Sequence, residues 1–118
     1  MKNSKLKVIF FDVNETMLDL EPMRKSVGQV LNGREEVLSY WSSKMLHYSL
    51  VSTLIGNYQD FGKIGIASLL MIAEENHIEL DYERAKKAII PSLLNLPPHQ
   101  DVIGALRELK KLDVKLAT

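Results

Sequence analysis

The sequence predicts an α/β fold in which a partial core of two parallel strands is interrupted by an inserted all-helical segment. Three observations carry that prediction: a β-branched and aromatic run at residues 6–11, four stretches of helical apolar spacing between Asp19 and Leu96, and a helix-then-strand pattern after Pro97-Pro98. A single crossover helix suffices to join parallel strands, so four helices are more than the connection requires. They read as an insertion. The expected division is residues 1–18 with 97–118 as a discontinuous core unit and 19–96 as the helical unit.

The first run is continuous, the pattern of a strand buried on both faces of a parallel sheet, and it ends at Asp12. Over residues 22–31, Met23, Val27, Val30 and Leu31 recur at helical spacing before Asn32-Gly33 stops the helix. Residues 34–55 form a longer stretch with Leu38, Trp41, Met45 and Tyr48 on one stripe and Val37, Leu46, Leu50 and Leu54 widening it. Gly56-Asn57 closes it. Asp60 is placed to N-cap a third helix reaching about Asn76, apolar nearly all round and so central to a bundle. Asp81 is placed to cap a fourth, which Pro91 should kink or end.

Leu96-Pro97-Pro98-His99 is hinge-like, since consecutive prolines favour extended backbone. Asp101 is a plausible N-cap for residues 102–112, with Val102, Leu106 and Leu109 on one face and Lys110-Lys111 at the carboxyl end, where cations suit the dipole. Residues 114–118 read as the second strand.

Composition narrows the function classes. With 118 residues, 46% hydrophobic and 25% charged, the chain is an average globular mixture and not a disordered one. Its formal net charge is zero, which gives no cationic excess for a phosphate backbone or an anionic membrane, so neither nucleic acid nor membrane is expected as a partner. There is no cysteine, which excludes disulfides, thiolate nucleophiles and cysteine-bound metals. Lys2, Lys5 and Lys7 precede an apolar run that Asp12 breaks short of the ~7–15 residues of a signal segment. Cytoplasmic localisation is the default expectation. His47, His77 and His99 show no metal-ligand spacing, and His99 reads as a surface loop residue.

An aspartate at the carboxyl end of a buried strand sits where open α/β sheets bind ligands, although Asp is also a common turn former. Asp12 is in that place. The segment Val8-Ile9-Phe10-Phe11-Asp12-Val13-Asn14-Glu15-Thr16-Met17-Leu18-Asp19 resembles the first motif of the haloacid dehalogenase superfamily: an apolar strand, Asp, three further residues, Thr and an apolar pair. The resemblance implies a Rossmann-like core with an inserted helical cap. It also implies that the Asp12 carboxylate attacks substrate to form an aspartyl ester that water hydrolyses, and that Thr16 braces the loop. Two residues after the nucleophile, the superfamily's phosphatases carry an acid that protonates the leaving oxygen. Here Asn14 stands there and cannot act as an acid. A departing halide needs no proton, so Asn14 points toward carbon–halogen chemistry or toward lost activity.

The segment Trp41-Ser42-Ser43-Lys44-Met45-Leu46-His47-Tyr48 resembles the cap helix of the 2-haloacid dehalogenases, with Trp41, Lys44, Leu46 and Tyr48 in agreement. The family's halide-binding arginine is replaced by Ser42, which cannot supply that charge-assisted donor. Ser42 and Tyr48 are the candidate substrate-binding positions, while the stripe shared by Trp41 and Tyr48 favours core packing for that pair.

The expected activity is hydrolysis of a small 2-haloacid with no metal and no cofactor. One alternative is a phosphatase of the same superfamily, in which Mg2+ would face Asp12 and the Asn14 carbonyl. The other is a non-catalytic helical association module. The sequence ends inside the second strand, before the superfamily's later Ser or Thr, lysine and acids; Thr118 and Lys115 are not assigned those roles. The chain is therefore expected to be a fragment, inactive alone, and a homo-oligomer is a possible way to pair its strand edges.

Overall fold

The computed structural model describes residues 7–118, so Leu6 and the lysines at 2 and 5 lie outside the described residues. Two compact units result. One ends at Leu20 and resumes over Leu96–Thr118; the other is Glu21–Asn95.

In the first unit, β1 (Val8–Phe10) and β2 (Lys115–Ala117) pair in parallel, with Val8 opposite Lys115, Ile9 opposite Leu116 and Phe10 opposite Ala117. Phe11 N donates to Ala117 O at 2.9 Å, which ties the ends of the strands together beside Asp12. The expectation of a strand buried on both faces is corrected: Phe10 is 73% exposed. A two-stranded sheet with one short helix in its unit has too few layers to cover both faces. That helix, α5 (Val102–Leu109), turns Val102, Leu106 and Leu109 partly inward and has no fully buried residue. Asp101 makes no side-chain cap; instead the His99 carbonyl accepts from Val102 N at 3.1 Å.

The helical unit comprises α1 (Glu21–Val30), a 3-10 turn (Glu35–Val37), α2 (Leu38–Leu54), α3 (Phe61–Glu75) and α4 (Tyr82–Leu94). Helix α4 packs on α1 and α3, and α3 on α2. Helix α3 lies between α2 and α4 and buries Ile64, Ile66, Leu69, Ile72 and Ala73, while Trp41 and Met45 of α2, Ala85 and Ile89 of α4, and Met23 and Val27 of α1, which packs on α4, complete the buried apolar set. The two predicted caps form: Asp60 accepts from Lys63 N at 3.0 Å and Asp81 from Arg84 N at 2.8 Å. Each satisfies one of the amide donors left orphaned at a helix start.

Of the two outcomes expected at Pro91, a kink or an end, the helix does not end there: α4 continues to Leu94. Proline removes the donor that would have met the Lys87 carbonyl, but Lys87 is exposed and water can take that place. On α2, the buried stripe is Leu38, Trp41 and Met45 alone; Leu46, Leu50 and Leu54 are exposed, and Tyr48 is partly so. Among the described residues helix α2 packs mainly on α3, with lesser contact to α1 and the 3-10 turn, too few neighbours to cover a wide apolar face. Among the described residues no helix is long and apolar enough to cross a membrane.

The pairing of α2 with α3 depends on a close approach at Gly65. A Cβ there would lie 3.2 Å from Trp41 Cζ2 and 3.2 Å from Met45 Sδ, tighter than ordinary contact. Its absence lets the indole lie against α3, where Trp41 Nε1 donates to the Gly65 carbonyl at 2.8 Å. At the carboxyl end of α3, Glu75 accepts from Lys44 and, at 3.2 Å, from the Tyr40 hydroxyl. The Lys44 bond holds the Glu75 carboxyl below its ordinary range and the Lys44 ammonium above its own.

Ser68 is 1% exposed, and its Oγ has no hydrogen-bond partner among the described residues. A buried unsatisfied hydroxyl costs about 1–3 kcal/mol. Ser68→Ala is thus expected to raise the unfolding free energy by about 1 kcal/mol in urea titration; a loss of stability would show that the hydroxyl has a partner in solution.

Candidate active site

Beyond β1 the chain turns sharply. The Val13 carbonyl accepts from Met17 N at 2.9 Å and from Leu18 N at 3.1 Å, which folds residues 13–18 into a compact loop directly after Asp12. Three residues separate Asp12 from Thr16, and this fold-back brings them together: Thr16 Oγ1 donates to Asp12 Oδ2 at 2.7 Å. Asp12, Asn14, Glu15 and Thr16 are all exposed, so a ligand could reach the carboxylate.

The loop is strapped to the Pro97-Pro98 segment. Asp19 N donates to Pro97 O at 2.8 Å, His99 N donates to Met17 O at 3.0 Å, and Leu18 forms an antiparallel bridge with Pro98. His99 Nε2 lies 3.0 Å from the Glu15 carbonyl oxygen. His99, read from the sequence as a surface loop residue, lies in a loop and is half-buried, and it carries a bond to the loop that follows Asp12. Sequence reasoning missed it because 84 positions separate the partners and the acceptor is a backbone atom, which leaves no mark on residue type.

Glu15 has φ +64, the left-handed region that favours glycine. A side chain there costs about 1–2 kcal/mol, partly offset in a glycine variant by the entropy of the freer chain. Glu15→Gly is therefore expected to stabilise the chain by about 0.5–1 kcal/mol in urea titration, with Glu15→Ala giving none of the gain because it keeps a Cβ. Equal effects of the two variants would contradict the strain.

The other candidate positions lie on α2, in the helical unit. Ser42 is half-buried, and its Oγ has no hydrogen-bond partner among the described residues. Tyr48 is 38% exposed and meets the His47 ring edge-on at 5.4 Å. Trp41 is fully buried in the core and Lys44 is engaged with Glu75, so neither is presented to a ligand. Among the described residues no cluster of three or more His, Cys, Asp or Glu could hold a metal ion.

A cleft of about 520 Å3 is apolar and lined by residues that include Phe11, Met17, Leu106, Arg107, Lys110 and Leu116. Asp12 is not among its lining residues, although Phe11 beside it is.

No protein-family model matches the chain. It is similar to the (S)-2-haloacid dehalogenase of Pseudomonas sp. (strain YL), 28% identical over 113 residues, covering 95% of this chain and 48% of that one. Among solved structures it resembles the L-2-haloacid dehalogenase from Xanthobacter autotrophicus, with TM-score 0.81 and 25% identity, covering 95% of this chain and 46% of the other. The same enzyme with chloropropionic acid covalently bound aligns with TM-score 0.80, 24% identity and the same two coverages. The chain thus spans about half the length of the curated relatives it matches.

Proposed function

We propose, from its similarity over 95% of its length to 2-haloacid dehalogenases, that this chain is a haloacid dehalogenase-like protein and carries the nucleophile of a hydrolase that cleaves the carbon–halogen bond of a small 2-haloacid. The observation that carries the reading is the hydrogen bond from Thr16 Oγ1 to Asp12 Oδ2 at the end of β1. With Oδ2 held by the hydroxyl, Oδ1 is the oxygen left to attack. It would form a C–O bond at the halogen-bearing carbon while halide leaves with the bonding pair. Water adding to the aspartyl carbon then releases the 2-hydroxy acid, one proton and the original carboxylate. A covalent adduct of chloropropionic acid in the Xanthobacter enzyme supports such a route.

Asn14 supports this reading over the phosphatase one. A halide departs unprotonated, whereas a carboxamide cannot protonate the leaving oxygen of a phosphate ester. The helical unit Glu21–Asn95 is proposed as the inserted cap, with Ser42 and Tyr48 as the α2 positions for substrate contact. A serine in place of a guanidinium would leave halide binding weak there. Cytoplasmic action on a small soluble acid fits the neutral charge.

The test uses this chain fused to the half of the Pseudomonas sp. (strain YL) enzyme that it does not span. Incubation with 2-chloropropionate in 18O-water should release chloride and place label first in the Asp12 carboxylate, read by peptide mass spectrometry. Label appearing only in the product, with Asp12 unlabelled after a single turnover, would refute the ester route.

A further inference from the structure

We propose that His99 is a positioning residue for the nucleophile loop, its imidazole holding the Glu15 carbonyl and through it the Thr16 hydroxyl that donates to Asp12. Its functional meaning rests on the reading of Asp12 as nucleophile; its structural content rests on geometry alone.

A carbonyl oxygen can only accept, so at 3.0 Å the His99 Nε2 carries the proton. The Glu15 carbonyl and the Thr16 amide belong to one planar peptide. Fixing that oxygen therefore fixes the plane from which the Thr16 side chain departs, and Thr16 Oγ1 lies 2.7 Å from Asp12 Oδ2. The peptide needs such a hold, because Glu15 at φ +64 is in a conformation that persists only where its surroundings over-determine it. The backbone of His99 is itself anchored on both sides. His99 N donates to Met17 O, and the His99 carbonyl accepts from Val102 N at the start of α5. Pro97 and Pro98 before it have φ fixed by their rings. The chain Pro97-Pro98-His99 thus transmits the placement of α5 to the residue that orients the nucleophile.

A histidine kept only for packing would tolerate an apolar side chain of similar bulk, whereas a positioning donor requires a donor. The full chain, isotope-labelled, is compared by NMR with His99→Leu, which removes the donor, and His99→Gln, whose amide nitrogen reaches the place of Nε2. In the parent, imidazole nitrogen shifts should show a proton on Nε2. His99→Leu should move the Asp12 carboxyl carbon resonance and speed hydrogen exchange at the Met17 and Leu18 amides about fivefold, as expected for loss of one hydrogen bond's local protection. The Leu69 and Ile72 amides of α3 should stay unchanged. His99→Gln should return the resonance and bring exchange to within about twofold of the parent. A neutral ring protonated on Nδ1 alone, an unmoved Asp12 resonance in His99→Leu, or a His99→Gln that behaves like His99→Leu would each overturn the proposal. If His99→Leu unfolds, the ring protonation and His99→Gln still decide. None of these readings needs turnover, so a failure of the nucleophile assignment would show in the label experiment and leave them intact.

Discussion

Asp12→Asn, introduced into the fusion described above, is expected to lower halide release by on the order of 10⁴–10⁶-fold, the range seen when a covalent nucleophile is removed. A carboxamide has nearly the shape of the carboxylate, and its oxygen can still accept from Thr16 Oγ1, so the loop and its bond should persist. What disappears is the anionic oxygen that forms the ester. The loss should therefore fall on kcat, with little change in KM and none in the unfolding midpoint. Release persisting at the parent rate would remove Asp12 from the chemistry. A parallel loss of stability would show instead that the carboxylate serves the fold.

Trp41→Ala is expected to destabilise the helical unit by about 3–5 kcal/mol, since truncating a fully buried large aromatic loses its transfer energy and leaves a cavity. That is a large share of the ~5–15 kcal/mol that holds a typical domain together. The indole is 0% exposed, lies on Gly65 where no Cβ intervenes, and donates to the Gly65 carbonyl. Trp41→Phe separates the two contributions. It keeps most of the ring contact and loses a hydrogen bond whose net contribution is about 1 ± 0.5 kcal/mol, so it should cost less than half as much as alanine. Urea unfolding followed by far-UV circular dichroism reads both. A loss below about 1 kcal/mol for alanine would mean that α2 and α3 collapse onto the gap.

The residues whose structure follows from local chemistry were legible. Asp60 and Asp81 precede apolar helical spacing and cap α3 and α4 with their own side chains, an interaction contained within four residues. The all-round apolar pattern of α3 announced its central position, and the motif around Asp12 pointed to a strand end and to a loop braced by Thr16, whose bond to Asp12 itself the structure added. Elements whose state depends on neighbours were not. The pattern at Leu46, Leu50 and Leu54 is apolar at helical spacing, but a helix buries only the face that other elements reach, and α2 has few. Phe10 sits in a run that reads as a doubly covered strand, yet coverage requires layers on both sides, which this unit does not have. Pro91 was expected to kink or end α4, but the helix runs on to Leu94, and Lys87, whose carbonyl loses its donor, is an exposed residue that water can reach.

By itself, the sequence determined the periodicities, the helix starts and the aspartate at the end of the first strand, because each depends on residues within a turn or two of one another. Only the tertiary structure decided which apolar faces are buried, that the Pro97-Pro98 segment straps the loop after Asp12, and that His99 bonds a backbone oxygen 84 positions away. Those contacts join distant segments through backbone atoms that every residue carries, so residue type alone cannot encode their partners.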